Sequence, residues 1–315
     1  MEEFGKHVLL GAGGPIANSL AKTLLERRQD VRLVSRRGYA LPNAEVVKAD
    51  LLDPAAMKGA VLPGSTVYLL PGLTYSVDVW TVQWPRIMHN AIQACTDRGA
   101  RLMFFDNVYM YGRVDGPMTE STPVNPCSRK GEVRSRIAAE LLDATKAGRL
   151  KACIARSADF YGPGAGNNSV PHFMIFQRLA RGKAPQWIGD ATQPHSFTYT
   201  PDCGPAIALL AESDDAWGQV WHLPTAAPPL TGNQFIELAA RAFGREPRLS
   251  LLRPWMVHVG GLFNPLVHEV VEMLYQNTAP YLFDSTKFET RFAFTPTPYA
   301  SGIAAAVAAV RKVRS

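Results

Sequence analysis

Cysteine is scarce in this chain and does not cluster. Four cysteines stand in 315 residues, at Cys95, Cys127, Cys153 and Cys203. No two lie at zinc-ligand spacing and no framework of paired half-cystines is visible, which excludes a metal-stapled or disulfide-stapled scaffold. The thiols read as reduced, as in a cytoplasmic protein. No acid–histidine cluster suggests a metal. Charge is also sparse: 19% of residues are charged, 33 Lys and Arg against 27 Asp and Glu, with no long run of one sign. The densest basic cluster is Arg129, Lys130, Arg134 and Arg136. It suits an anionic cofactor or substrate rather than nucleic acid, for which no motif is present. No apolar stretch approaches the roughly 18 uncharged residues of a membrane span, so no membrane partner is expected. No secretory signal is expected ahead of the first strand. Apolar residues nevertheless make up 47%, enough for a sizeable core. The length allows one large α/β domain with an added lobe, or two domains.

What is present begins with Val8-Leu9-Leu10-Gly11-Ala12-Gly13-Gly14-Pro15-Ile16-Ala17. Three apolar residues run into a glycine-rich turn, and Ile16, Leu20 and Leu24 then recur at helical spacing. Strand, tight turn and helix N-terminus in that order make a pyrophosphate site: glycines let the backbone approach, and unpaired helix N–H groups favour negative charge. Pro15 fits the first helical turn because its missing N–H would have had no partner. Gly11, Gly13, Gly14, Pro15 and Ile16 are therefore candidate cofactor residues. A second strand, Val31–Val34, ends in Ser35-Arg36-Arg37. The residue meeting the adenosine ribose should lie about 20 positions beyond the glycines, at Ser35 and Arg36. An acid there would repel a 2′-phosphate, whereas a hydroxyl and a guanidinium fork would hold one. This pattern favours NADP over NAD. The alternative is a solvated basic loop.

Further strands are expected at residues 45–50, 67–70, 102–105 and 152–155, with helical patterns at 79–98 and 131–147. Strands alternating with helices imply parallel pairing and right-handed crossovers. The expected fold is α/β, a Rossmann-type doubly wound parallel sheet with a smaller C-terminal substrate lobe. The dinucleotide domain would take residues 1–165 and 195–223. The lobe would take 166–194 and 224–315, ending in a docked helix around Ile303–Val310.

Several landmarks together resemble the extended short-chain dehydrogenase/reductases, the NAD-dependent epimerase/dehydratase family, in an atypical form. Gly11-x-x-Gly14-x-x-Ala17 resembles their glycine motif. Asp50-Leu51 resembles the family's acid after the third strand, which implies that Asp50 accepts from the adenine amino group. Leu51 and, after the fourth strand, Pro71 and Gly72 complete the implied cofactor set. Tyr111-Gly112 with Thr119-Glu120, Arg156 through Tyr161-Gly162-Pro163-Gly164, and Phe197 through Asp202 resemble further family segments. The family's chemistry rests on Ser/Thr and on Tyr-x-x-x-Lys, a tyrosinate and an ammonium one helical turn apart. No such pair occurs here. Aligning the end of the fourth helix at Ala138–Leu141 puts Glu132 in the place of the Tyr and Arg136 in that of the Lys. Aligning Tyr111-Gly112 puts Asn107 in the place of the Ser. Arg136 could hold ribose hydroxyls and Glu132 is an acceptor at neutral pH. Tyr109 and Tyr111 follow the fifth strand, and either phenol could donate a proton instead; Tyr109 is the better candidate, since the tyrosine of Tyr-Gly usually packs. An exposed Glu132–Arg136 ion pair is the plain alternative. His172 and His195 belong to the lobe, where a lone histidine is more often structural. The implied activity is an NADP-dependent oxidoreductase or epimerase/dehydratase-like reaction on a small molecule, anionic or a sugar nucleotide. Asn167-Asn168 would then approach its phosphate. The competing reading is a non-catalytic NADP(H) sensor. A homodimer is left open.

Overall fold

The computed structural model describes residues 6–166 and 169–312. The chain first lays down β1 (Lys6–Leu10), α1 (Pro15–Glu26), β2 (Asp30–Ser35) and β3 (Glu45–Lys48). It continues through α2 (Pro54–Ala60), β4 (Thr66–Leu69), α3 (Val77–Arg98), β5 (Arg101–Asp106), α4 (Arg129–Lys146) and β6 (Ala152–Arg156). A last strand, Val220–His222, closes a seven-stranded sheet beside β6. The order from that edge is Val220–His222, β6, β5, β4, β1, β2, β3, and every pairing is parallel. Strand order reverses between β1 and β4. In such sheets, ligands bind outside the carboxyl ends of the strands at that reversal.

Side chains alternate across the sheet because successive Cβ atoms point to opposite faces. Val8, Leu10, Val67, Leu69, Leu102 and Phe104 pack under α2, α3 and α4. Leu9, Leu33, Tyr68, Met103 and Cys153 pack under α1 and the helix Thr200–Glu212. These two helices approach closely at Gly204, where a Cβ would stand 2.4 Å from the Ser19 backbone.

Beyond Tyr161 the chain builds a separate apolar cluster around Tyr161, Trp187, Phe197, Phe235 and Tyr299. The C-terminal helix Tyr299–Lys312 docks on it through Ile303, Ala306 and Val307. Two short helices, Pro254–Gly261 and Pro265–Val271, form a hairpin on this side of the molecule. Among the described residues no helix is long and apolar enough to cross a membrane.

Candidate active site

The glycine turn stands at the carboxyl end of β1, and its glycines have different roles. The N–H groups of Gly11 and Ala12 both donate to the carbonyl of Val34, at 2.9 and 3.0 Å, which ties the turn to β2. Gly11 has φ +93°, and a Cβ there would meet the Pro71 backbone at 2.5 Å. Gly13 has φ +103° and a Cβ would press on the Tyr39 ring at 3.2 Å. Both positions are closed to side chains by conformation as well as by contact. Gly14 is different: its φ is −81° and a Cβ there would project into open space. That space lies in front of the α1 N-terminus, which no side chain caps. Pro15 occupies the first helical turn. The Ile16 side chain is buried in the core, so only its backbone can serve an anion.

The second strand delivers Ser35 and Arg36 beside this turn. Ser35 Oγ accepts from the Tyr39 N–H at 2.8 Å, bracing the loop that brings the Tyr39 ring against Gly13. The Arg36 side chain is exposed and makes no ion pair among the described residues. Asp50 is exposed, with Oδ1 accepting from the Leu52 N–H at 3.0 Å. Leu51 is buried, and its carbonyl accepts from Asn90 Nδ2 at 3.0 Å. Pro71 walls the turn and Gly72 is exposed beside it. Tyr39 was not picked out from the sequence.

The structure separates the members of the expected catalytic set. Glu132 and Arg136 are both exposed on α4, and no ion pair joins them among the described residues. The residues that turn inward, one helical turn apart, are Lys130 and Arg134. At 3.6 residues per turn two positions along the helix differ by about 200°, which sets Glu132 and Arg136 towards solvent and Lys130 and Arg134 towards the interior. Lys130 is fully buried. Its ammonium donates to the Glu269 carboxylate, to the Glu269 carbonyl at 3.0 Å and to Glu272 Oε1 at 2.8 Å, and it lies 4.6 Å from the centre of the Tyr75 ring. Arg134 places Nε and Nη2 on Asp106 Oδ1 at 2.7 and 2.6 Å. Its guanidinium lies over the rings of Trp84 and Phe104. Asn107 is partly buried at the end of β5, and its side-chain oxygen accepts from the Tyr109 N–H at 3.1 Å.

Tyr109 stands among several buried tyrosines. Its ring stacks on Trp80, and its phenol interacts with that of Tyr75. Tyr275 and Tyr281 add two more rings with buried hydroxyls. Burial, seconded by the negative charge of Asp159, lifts all four phenols above their ordinary range. They can donate a proton or a hydrogen bond but do not ionise near neutrality. Asp159 accepts from or pairs with His195 Nε2 at 3.0 Å. The imidazole is clasped between Phe197 and Tyr281, with ring centres at 4.5 and 4.3 Å. Asp159 and His195 line a small cleft together with Met174, Trp187, Phe197 and Asn277. His172 stands apart, and burial lowers its pKa. Asn167-Asn168 lie outside the described residues.

Several sequence landmarks turn out to be structural. Arg156 Nη1 donates to the Tyr111 hydroxyl at 2.8 Å, and that hydroxyl lies 2.9 Å from His222 Nε2. His222 Nδ1 faces the Asp284 carbonyl at 2.8 Å. A carbonyl can only accept, so Nδ1 carries the hydrogen and Nε2 receives the one from Tyr111. Glu120 accepts from the His222 N–H at 2.8 Å. Arg156 Nε reaches Asp106 Oδ2 at 3.4 Å, joining this chain to Arg134. Tyr111, Glu120 and Arg156 thus hold the sheet end together.

A family model for the NAD dependent epimerase/dehydratase family matches residues 7–222, the sheet from its first strand to its last. The chain belongs to this family. No curated protein gives a significant match. Among solved structures, a Thermus thermophilus UDP-glucose 4-epimerase complexed with NAD superposes with TM-score 0.78 at 18% identity, over 97% of this chain and 99% of that one. DesIV, a dTDP-glucose 4,6-dehydratase from Streptomyces venezuelae solved with NAD, gives 0.79 at 18% identity over 98% of each chain. A Bacillus cereus UDP-glucuronic acid 4-epimerase in complex with NAD gives 0.79 at 17% identity, over 98% and 100%. At these identities the likeness shows a shared fold. Within the epimerase/dehydratase family this chain lacks Tyr-x-x-x-Lys, and the inward turn of α4 carries Lys130 and Arg134 instead.

Proposed function

We propose that this family member binds NADP(H) and carries out an oxidoreductase or epimerase/dehydratase-like reaction on a small molecule. The observation that carries the reading is the uncapped α1 N-terminus behind Gly14, flanked by Ser35 and the unpaired Arg36. The glycine turn fits a pyrophosphate: first-turn N–H groups point outward and Gly14 leaves room before them. Arg36 would hold a 2′-phosphate, Asp50 would accept from the adenine amino group, and Tyr39 and Pro71 would wall the groove. The solved relatives carry NAD, so the preference for NADP rests on this chain's own residues. When bound, the nicotinamide supplies or accepts a hydride.

The chain's own residues then orient the substrate and handle its proton. Asn107 presents a carboxamide NH2 beside Tyr109. Tyr109, kept neutral by burial, offers its hydroxyl hydrogen to a substrate oxygen. Residues 166–194 and 224–315 supply the substrate lobe, with 1–165 and 195–223 carrying the cofactor. A sugar nucleotide, the class named in the solved relatives, is the substrate class that suits the net positive charge. A second reading, an NADP(H) sensor without turnover, is favoured by one observation: the two cations on the inward turn of α4 are committed to Glu269, Glu272 and Asp106.

Calorimetric titration with NADP+ and NAD+ tests the cofactor assignment. NADP+ should bind more tightly, and Arg36→Asp should narrow or reverse the preference. Loss of a charge-assisted bond costs about 1.5–3 kcal/mol, roughly a ten- to hundredfold change. Equal affinities in the wild type would refute the assignment.

A further inference from the structure

The helical hairpin 254–271 presents large apolar side chains to solvent. Trp255 is 62% exposed, Leu262 78% and Phe263 84%, with Val259 and Leu266 each about half exposed beside them. Single exposed apolar residues are ordinary, but a contiguous cluster on one element marks a contact face. Its reverse side is fixed. Glu269 accepts from the Val77 N–H at 2.8 Å and pairs with Lys130, and Glu272 accepts from the Arg129 N–H at 2.8 Å. Within the hairpin, a Cβ on Gly261 would stand 3.1 Å from the His268 backbone, so the two helices are in close contact. The apolar tip is therefore held outward by a braced support and does not fold back on the molecule.

The chain leading into and through this face is basic. Arg248 and Arg253 are exposed, and residues 247–268 contain no Asp or Glu. We propose that the hairpin docks this protein on an anionic lipid surface, with Leu262, Phe263 and Trp255 entering the headgroup boundary and the arginines on lipid phosphates. Apolar residues with an aromatic anchor and flanking Arg are the composition that binds such surfaces. Each helix, at eight and seven residues, is about 12 Å long or less, far short of a bilayer core. The contact is superficial. A second copy is the poorer occupant, because pairing residues 247–268 of two copies would bring Arg248 and Arg253 of each together with no carboxylate in that stretch to receive them. This departs from the expectation of no membrane partner, which considered spanning segments alone.

Co-sedimentation of the full-length protein tests the proposal, using vesicles of phosphatidylcholine and vesicles of an equal phosphatidylcholine–phosphatidylglycerol mixture. The protein should sediment with the anionic vesicles and much less with the neutral ones, and salt should weaken binding. The double variant Leu262→Glu/Phe263→Glu should abolish binding, and Arg248→Glu/Arg253→Glu should lower it by at least about fivefold per arginine. All four positions are exposed, and unchanged thermal unfolding would show that the variants fold. Vesicle binding that both variants retain would overturn the proposal. So would failure to bind either vesicle. If that failure came with a dimer by light scattering that Leu262→Glu/Phe263→Glu dissociates, the face would be a self-association surface.

Discussion

Asp106 carries more of this structure than any single charge on its surface, and replacing it makes the sharpest test of the packing around the site. Its carboxylate is fully buried, with Arg134 on Oδ1 through two nitrogens and Arg156 on Oδ2. Both guanidiniums are only 4% exposed. Asp106→Asn keeps the shape and one acceptor oxygen but removes the charge, leaving two buried cations without a counter-ion. Breaking a buried pair from one side costs about 3–5 kcal/mol. The rings of Trp84 and Phe104 still face Arg134, and cation–π attraction in a desolvated site offsets part of the loss. The lower end, about 3 kcal/mol, is the expected value. Against the 5–15 kcal/mol typical of folded domains that is a large fraction. Urea unfolding followed by tryptophan fluorescence would measure it, and Arg134→Met alongside the double variant would complete a cycle. The double variant should be less destabilised than the sum of the singles, because with fewer cations left one source of repulsion is gone. A loss below about 0.5 kcal/mol for Asp106→Asn, the range of neutral surface substitutions, would show that the ion pairs do not hold the end of β5.

Two more outcomes follow from the same geometry. Gly14→Val should leave thermal unfolding unchanged, since the φ of −81° suits any residue and a Cβ meets nothing, yet it should abolish NADP+ binding by calorimetry because the isopropyl group fills the space before the helix N-terminus; retained affinity would place the cofactor elsewhere. Burial lowers the His222 pKa from 6.5 to about 3, so between those values the unfolded chain binds a proton that the folded one refuses. The stability it contributes is present above pH 6.5 and is lost as pH falls towards 3. From about pH 7 to about pH 4.5 the wild type should lose on the order of 2–3 kcal/mol more than His222→Gln, and parallel pH profiles for the two proteins in urea unfolding would contradict a neutral, buried imidazole.

How much of this was legible in the sequence depends on the distance over which each feature is built. The strand–turn–helix at residues 6–26 is local. Apolar run, glycines, proline and helical periodicity all fall within one window, and each speaks for the same structure. The parallel sheet followed from the alternation of such windows. Family landmarks were readable as motifs but not as roles. Tyr111 and Arg156 sit 45 positions apart, and nothing in either segment says that they meet at 2.8 Å and face inward. Asp159 with His195, and Tyr275 and Tyr281 with Tyr109, lie on separate elements brought together by the lobe, whose irregular chain carries no periodicity to place them.

The inward face of the fourth helix is instructive, because two signals in the sequence select different residues on it. Matching the end of the fourth helix to a family pattern selected Glu132 and Arg136. The helix's own apolar stripe selects otherwise. Val133, Ile137 and Leu141 recur at i, i+4 and i+8 and are buried, which fixes the inward face without reference to any relative. On a helix, residues three and four apart share a face, so Lys130 stands in phase with Val133 and Arg134, and Arg134 with Ile137 and Ala138. A lysine and an arginine on the apolar face of an amphipathic helix are costly unless paired, and that cost implies buried carboxylates elsewhere in the chain. The stripe could not identify them. Asp106 lies 28 positions from Arg134, and Glu269 lies 139 positions from Lys130, separations at which the fold and not the local pattern decides who meets. The phase of a helix can therefore be read from its own sequence, whereas the partners of its buried charges need the assembled fold.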